Sequence, residues 1–286
     1  MEQKNSPAAW ARHGAWSRIA AMLLRPQRPP VLVLSLPRSG SSWVGETLGY
    51  AINALYLREP ITQSDHIFYD LGTVFEITDP ELEAKYRRLG DRAFAGWPDF
   101  GSHIVRFPEQ WGLHRRRNCR VVIKEVNPLA CGWYTRHYRP RIVFLARHPA
   151  AVALSWQSKG WLRAEAKSWA RNGEQQGHAL RAALDVLETY TAHRQVVYEE
   201  LCIDPTSAYQ QLFSFAGLIW DSRVEQFIAE RTRQDDAANT WDTARNSQEM
   251  IHGWRKQAMQ ANVDALRIEY RRFNLPWHLS DEDWIV

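Results

Sequence analysis

The sequence predicts an α/β protein of three layers, α/β/α, with helices on both faces of a central parallel sheet. Three observations carry that expectation. Val31–Leu34, Val121–Ile123 and Ile142–Leu145 are continuous apolar runs rather than alternating ones, the pattern of strands buried on both faces. Each run ends in a polar or charged turn, namely Arg38-Ser39-Gly40, Lys124-Glu125 and Arg147-His148. Helix-compatible stretches lie between the runs, as parallel strands require for their crossovers.

The 286 residues, 45% hydrophobic and 24% charged, suit one large domain able to bury a sizeable core. We read 1–286 as a single domain, with 1–28 as a helical N-terminal extension and 61–118 as an insertion. The formal charge of +4 fits an anionic ligand but is too weak to indicate nucleic acid. Cys119, Cys131 and Cys202 form no C-x-x-C pair and leave an odd thiol in any disulfide scheme, which favours a reducing compartment.

In chain order, residues 7–24 have a helical pattern, but Arg12, His13 and Arg18 interrupt its apolar side, so it is neither a membrane span nor a signal-peptide core. Val31–Leu34 is the first strand, and Pro37 favours extended geometry at Leu36. A helix is expected from Trp43 to about Leu55. Strand, small-residue turn and helix N-terminus together make an anion cradle: backbone N–H groups converge, the helix dipole favours negative charge, and Ser41, Ser42 and Arg38 add donors. An ordinary Ser-capped helix is the plainer alternative. The turn lacks G-x-x-x-x-G-K-[ST], so it is P-loop-like without being a Walker A loop and shows no obvious metal ligand. Glu59, in Arg58-Glu59-Pro60, is a carboxylate placed to take a proton, with His66 in reserve.

Asp79-Pro80 opens a helix to about Leu89, by an N-cap and a first-turn proline. Phe68, Tyr69, Trp97, Phe100 and Trp111 are either core residues or the aromatic lining of an acceptor pocket. His114–Arg117 is expected as a solvated basic face. Lys124 closes its strand at the edge where open α/β sheets bind ligands; a strand-end Lys paired with Glu125 is the alternative. Ile142–Leu145 leads to Arg147, and Pro149 opens a helix that places Ser155 about two turns on. Trp161–Tyr190 is helical, Gln195–Tyr198 a fourth strand, 206–217 and 222–230 helices, Arg231–Asn239 a polar loop and Val263–Phe273 a last helix.

Two of these segments carry a family resemblance. Leu36–Leu48, LPRSGSSWVGETL, resembles the 5′-phosphosulfate loop of sulfotransferases that use 3′-phosphoadenosine 5′-phosphosulfate (PAPS), closest to the carbohydrate and tyrosylprotein types. Arg141–Trp156, RIVFLARHPAAVALSW, resembles their 3′-phosphate motif, with Arg147 and Ser155 in the gripping positions. The resemblance implies an α/β/α enzyme that moves a sulfuryl group from PAPS to an acceptor hydroxyl and leaves PAP. Arg38, Ser39, Gly40, Ser41, Ser42 and Trp43 would hold the 5′-phosphosulfate, and Arg147 with Ser155 the 3′-phosphate.

The same resemblance implies the remaining roles. Glu59 stands 21 residues after Arg38, as the general base does in the tyrosylprotein type, and its Glu-Pro pair fits the carbohydrate type. Lys124 resembles the lysine of an N-K-D-P segment that supports the transferring group, although Glu125 replaces Asp and Val126-Asn127 intervene. Tyr198 begins a segment like Y-E-D-L and would face the nucleotide. Ser247 and Arg255 would close over the phosphates. No metal is implied, and no H-E-x-x-H or C-x-x-C cluster is present. The acceptor expected first is a glycan or glycolipid hydroxyl, from the RSGSS and Glu-Pro forms and the 14 tryptophans; a phenolic or natural-product hydroxyl comes second. With no Golgi-type anchor in the sequence, a cytoplasmic, bacterial-type enzyme is expected. An ATP-dependent kinase on the same scaffold and a nucleotide-binding protein without catalysis are the readings from other classes.

Overall fold

The computed structural model describes residues 19–20, 23–64, 67, 74–97, 100–233 and 249–286. The proposed N-terminal helix over 7–24 lies mostly outside these residues, as do His66, Phe68, Tyr69 and Ser247. Five parallel strands form one sheet: β1 (Val31–Ser35), β2 (Ala54–Arg58), β3 (Arg120–Glu125), β4 (Arg141–Ala146) and β5 (His193–Val197), in the order β2-β3-β1-β4-β5. The chain leaves β1 towards one edge and later returns to build the other edge. The order therefore reverses at β1, the crevice where open α/β sheets accept ligands.

Burial explains the unbroken apolar runs. Val31 and Val33 pack on one face with Val122, Val143 and Leu145, while Leu32 and Leu34 pack on the other with Ile123, Ile142 and Phe144. Alternation persists in direction but not in polarity, because both faces are covered. Burying each of these side chains stabilises by about 1.5–3 kcal/mol. Helices α1 (Ser41–Gly49), α6 (Tyr198–Ile203), α7 (Pro205–Ala216) and α8 (Ser222–Arg233) contribute to the valine-side core. The leucine-side core takes residues from α2 (Pro80–Phe94), α3 (Cys131–Tyr138), α4 (Pro149–Ser158), α5 (Ala166–Leu187) and α10 (Gln260–Arg271). The short α9 (Glu249–His252) precedes a single turn of 3-10 helix at Gly253–Lys256.

Local rules set several boundaries as expected. The Asp79 carboxylate caps α2 by accepting from the backbone N–H of Glu81 and Leu82, and Pro80 occupies the first turn. The helix runs past Leu89 to Phe94 because its buried stripe of Tyr86, Leu89 and Gly90 continues to Ala93. All three cysteines are buried free thiols, and burial pushes that of Cys131 up to about 12.

Other boundaries differ. The helix expected over Trp43–Leu55 ends at Gly49, and Ala54–Arg58 is a strand. Five residues of that Leu-containing segment pair with β3, from Ala54 opposite Arg120 to Arg58 opposite Lys124, so tertiary pairing overrides helix propensity. Arg231 lies in α8 rather than a loop, where its guanidinium pairs at 2.9 Å with the buried Glu46 of α1. The basic run at 114–117 is not wholly a solvated face. Arg116 is 1% exposed, donates to the Gly96 carbonyl and lies over the Trp111 ring. Phe100 and Trp111 are buried members of the leucine-side core, and Trp97 is half-buried. Among the described residues no helix is long and apolar enough to cross a membrane.

Phe144, fully buried at the centre of the leucine-side core, gives a direct test of this packing. Phe144→Ala is expected to cost about 3–5 kcal/mol in urea unfolding; a loss under about 1 kcal/mol would contradict the packing.

Candidate functional site

The parallel register brings the polar strand ends to one edge of the sheet. Val33 and Leu34 of β1 stand opposite Lys124 and Glu125 of β3, and Leu34 and Ser35 opposite Phe144 and Leu145 of β4. The Arg38 turn, Glu59, Lys124 and Arg147 therefore emerge at the C-terminal ends of neighbouring strands.

The turn after β1 has two residues in the left-handed region, Arg38 at φ 70° and Gly40 at φ 88°. Gly40 is the N-cap of α1, and no side chain caps that helix, contrary to the plainer Ser-cap reading. Such an N-terminus presents backbone donors and the positive end of the dipole to an anion. Ser39 and Ser41 are buried beside it, and Ser42 is half-buried. Trp43 turns away, its ring edge-on to Tyr198 and Tyr209 in the core, so only its backbone remains near the turn.

The segment after β4 is bonded directly to this turn. Arg38 Nε donates to Ser155 Oγ at 2.9 Å, and Arg147 Nη1 donates to the Arg38 carbonyl at 3.1 Å. Trp156 Nε1 donates to the Pro37 carbonyl at 3.0 Å. The two sequence motifs, with Arg38 and Arg147 separated by 109 residues, thus form one structure. Tyr198 braces both: its ring lies 4.5 Å from the Arg147 guanidinium carbon, and a Cβ on Gly40 would meet it at 2.3 Å. Burial pushes the Tyr198 hydroxyl well above its usual range, so it stays protonated. The ring accordingly supports the turn from inside the valine-side core.

Glu59 and Lys124 form a buried ion pair at the ends of β2 and β3. Gln63 Nε2 donates to the second Glu59 oxygen at 2.6 Å, and Glu59 N–H donates to the Lys124 carbonyl at 2.7 Å. Burial alone would raise the Glu59 carboxyl, but the Lys124 ammonium, Arg58 and Gln63 together hold it below the usual carboxylate range. Burial lowers Lys124, with Glu59 opposing that shift. Lys124 pairs with Glu59 and not with Glu125, because successive strand residues face opposite ways. Gly45 of α1 makes room for it: a Cβ there would sit 3.0 Å from Lys124 Cβ and 2.8 Å from the Tyr56 hydroxyl.

Arg255 lies over the Trp254 ring and donates to the carbonyls of Glu282 at 3.1 Å and Asp283 at 3.4 Å, so it is engaged with the C-terminal segment. Trp254 stacks on His148, the residue after Arg147, with ring centroids 4.4 Å apart. Burial holds the His148 imidazole well below its usual value, hence neutral; its Nδ1 accepts from Ala150 N–H at the start of α4.

Sequence reasoning overlooked Gln63, His148, Glu199 and Tyr56. Glu199 accepts the His148 backbone N–H at 3.0 Å, steadying the chain beside Arg147. Gln63 carried a signal, since a Gln four residues after a Glu can reach back along one helical turn. Tyr56 carried none, because it falls just past the expected helix end at Leu55, in a stretch not recognised as a strand.

The sulfotransferase domain family model matches residues 28–269. A comparison with curated proteins finds no match. Among solved structures, mouse sulfotransferase SULT7A1 complexed with PAP aligns over 93% of this chain and 91% of its own, at 14% identity and a TM-score of 0.52. The sulfotransferase domain of the Synechococcus PCC 7002 olefin synthase aligns over 88% of this chain and 97% of its own, at 16% identity and a TM-score of 0.49. A sulfotransferase from Alicyclobacillus acidocaldarius aligns over 90% and 98%, at 14% identity and a TM-score of 0.47. At 14% identity the likeness to the mouse enzyme is one of fold.

The bracing of the turn predicts the effect of one methyl group. Gly40→Ala, strained by its positive φ and driven into Tyr198, should raise the PAP dissociation constant at least about tenfold in calorimetry. Unchanged affinity would show that the turn does not bind the nucleotide.

Proposed function

Because the chain belongs to the sulfotransferase domain family, whose sulfuryl donor is PAPS, we propose that it sulfates a carbohydrate or glycolipid hydroxyl with Glu59 as general base. The observation that carries this reading is the buried Glu59–Lys124 pair, set at the strand ends beside the Arg38 turn. A base and a cation that touch each other in a dry site are what sulfuryl transfer to an alcohol needs.

The residues present suit such a donor. An uncapped helix N-terminus with buried serines, two guanidinium groups and their linking hydrogen bonds make an anion-binding donor set. In this reading Ser39–Ser42 and Arg38 hold the 5′-phosphosulfate, while Arg147 and Ser155 hold the 3′-phosphate. Bound PAPS supplies the sulfuryl group.

Glu59 is ionised at neutral pH and accepts the acceptor hydroxyl's proton as the acceptor oxygen bonds to sulfur. The bond from sulfur to the 5′-phosphate oxygen breaks, leaving PAP and a sulfate ester. Protonation of Glu59 removes the counter-charge of Lys124. That ammonium, with Arg38, is then free to stabilise the negative charge on the departing bridging oxygen. Arg147 braces the Arg38 carbonyl and so sets the turn's shape, in addition to the phosphate contact this reading assigns it. Segment 61–118, which follows Glu59, supplies the acceptor side. The carbohydrate assignment is supported by the RSGSS and Glu-Pro forms of the two motifs.

The test is a panel of sugars, glycolipids and simple phenols, with PAP release as the readout. With the best acceptor, Glu59→Gln should lower kcat at least about a hundredfold while PAP affinity stays within about threefold. Full turnover by Glu59→Gln would refute the base assignment, and turnover confined to phenols would refute the carbohydrate one.

A further inference from the structure

Glu59 is held in a conformation that few non-glycine residues adopt, φ 51°. An L-residue in the left-handed region pays about 1–2 kcal/mol, so its surroundings must impose the geometry. One constraint comes from the Lys124 carbonyl, which accepts the Glu59 N–H. The other comes from the next residue of β3.

Glu125 is 0% exposed and lies on the opposite face of β3 from Lys124. Its Oε1 accepts the backbone N–H of Ile61 at 2.7 Å and of Thr62 at 3.4 Å, and its Oε2 accepts the Thr62 hydroxyl at 2.7 Å. Ile61 and Thr62 belong to the tight turn that begins at Glu59, where Gln63 N–H donates to the Glu59 carbonyl. The same turn carries the Gln63 side chain that grips the Glu59 carboxylate. One strand end therefore fixes both halves of the pair. Lys124 supplies the ammonium, and Glu125 clamps the turn that aims the carboxylate.

We propose that Glu125, acting through Ile61 and Thr62, is the positioning residue that aims the Glu59 carboxylate at the acceptor hydroxyl. The inference rests on the reading of Glu59 as base. A carboxylate buried in a largely apolar core is costly, and the described contacts of Glu125 give it no role except to hold this turn.

The electrostatics add a pH dependence. Burial raises the Glu125 carboxyl to about 7, against the opposing hydrogen bonds from Thr62 and Ile61; Glu59 raises it further and Lys124 lowers it. The phenols of Tyr86 and Tyr134 also face it, and burial keeps both protonated. Glu125 is thus the carboxylate of this site that titrates near neutrality, whereas Glu59 does not. Protonation of Glu125 leaves it fewer lone pairs for its three donors and loosens the turn. Activity should accordingly fall as pH drops through about 7 in the native enzyme. The sign for stability is opposite. A carboxyl raised on folding disfavours the folded state as it ionises, so this contribution to stability is lost as pH rises from the ordinary Glu range through about 7.

The deciding experiment compares native enzyme, Glu59→Gln, Glu125→Gln, Thr62→Val and Thr62→Ser, by PAP release with the best acceptor of the panel and by PAP calorimetry. Thr62→Val removes one hydrogen bond to Glu125 at nearly constant shape. It should cost about tenfold in kcat with PAP affinity within about twofold, and Thr62→Ser should restore kcat. Glu125→Gln should lower kcat similarly and abolish the acid limb near neutrality. If Glu125→Gln fails to fold, the Thr62 pair decides. Full kcat in Thr62→Val and Glu125→Gln, with Glu59→Gln inactive, would overturn the positioning role and leave the base assignment standing. Full kcat in Glu59→Gln would instead remove the base on which the inference rests.

Discussion

Everything at this site depends on strands that run parallel and end in register. Pairing of β1 with β3 and β4 sets the C-terminal residues of all three side by side, and β2 adds Arg58 opposite Lys124. Only then can a turn after Ser35 bond to a helix that starts at Pro149, and a glutamate after Arg58 meet Lys124. The cost is a sheet whose central strands are apolar on both faces, with helices built to cover each. That requirement dictates the composition of the runs from which the fold was read.

The two halves of the proposed site solve different physical problems. The Arg38 turn gathers cations and backbone donors at the edge of the sheet, where mutual repulsion is eased by direct hydrogen bonds to Ser155 and to its own carbonyl. The Glu59–Lys124 pair is buried instead, so each charge depends on the other, and loss of either leaves an uncompensated ion. Glycines let the two sides approach. Gly40 admits Tyr198 beneath the turn, and Gly45 admits Lys124 beside α1.

Much of this was legible in the sequence. The unbroken runs gave away three strands, because double-sided burial leaves no polar alternation, and the Asp79-Pro80 cap marked α2. The Arg38, Ser155 and Arg147 constellation was reachable because each residue sits within a recognisable strand-turn-helix segment. β2 escaped because Ala54–Arg58 has no strand signature of its own and is made a strand by its partner. Arg116 read as surface because a basic run gives no sign that one member will be covered. Glu125 read as an incidental neighbour of Lys124, since its three donors come from a turn more than sixty residues away. Long-range capture of this kind leaves no local pattern.

The most direct test of the account is calorimetric titration of the native protein and of Ser155→Ala and Arg147→Ala with PAP in EDTA, alongside ATP with magnesium. The account predicts one PAP bound per chain without metal and affinity reduced at least about tenfold in both variants. Binding of ATP with magnesium while PAP gives no heat would contradict it, and would move the site from sulfuryl to phosphoryl transfer.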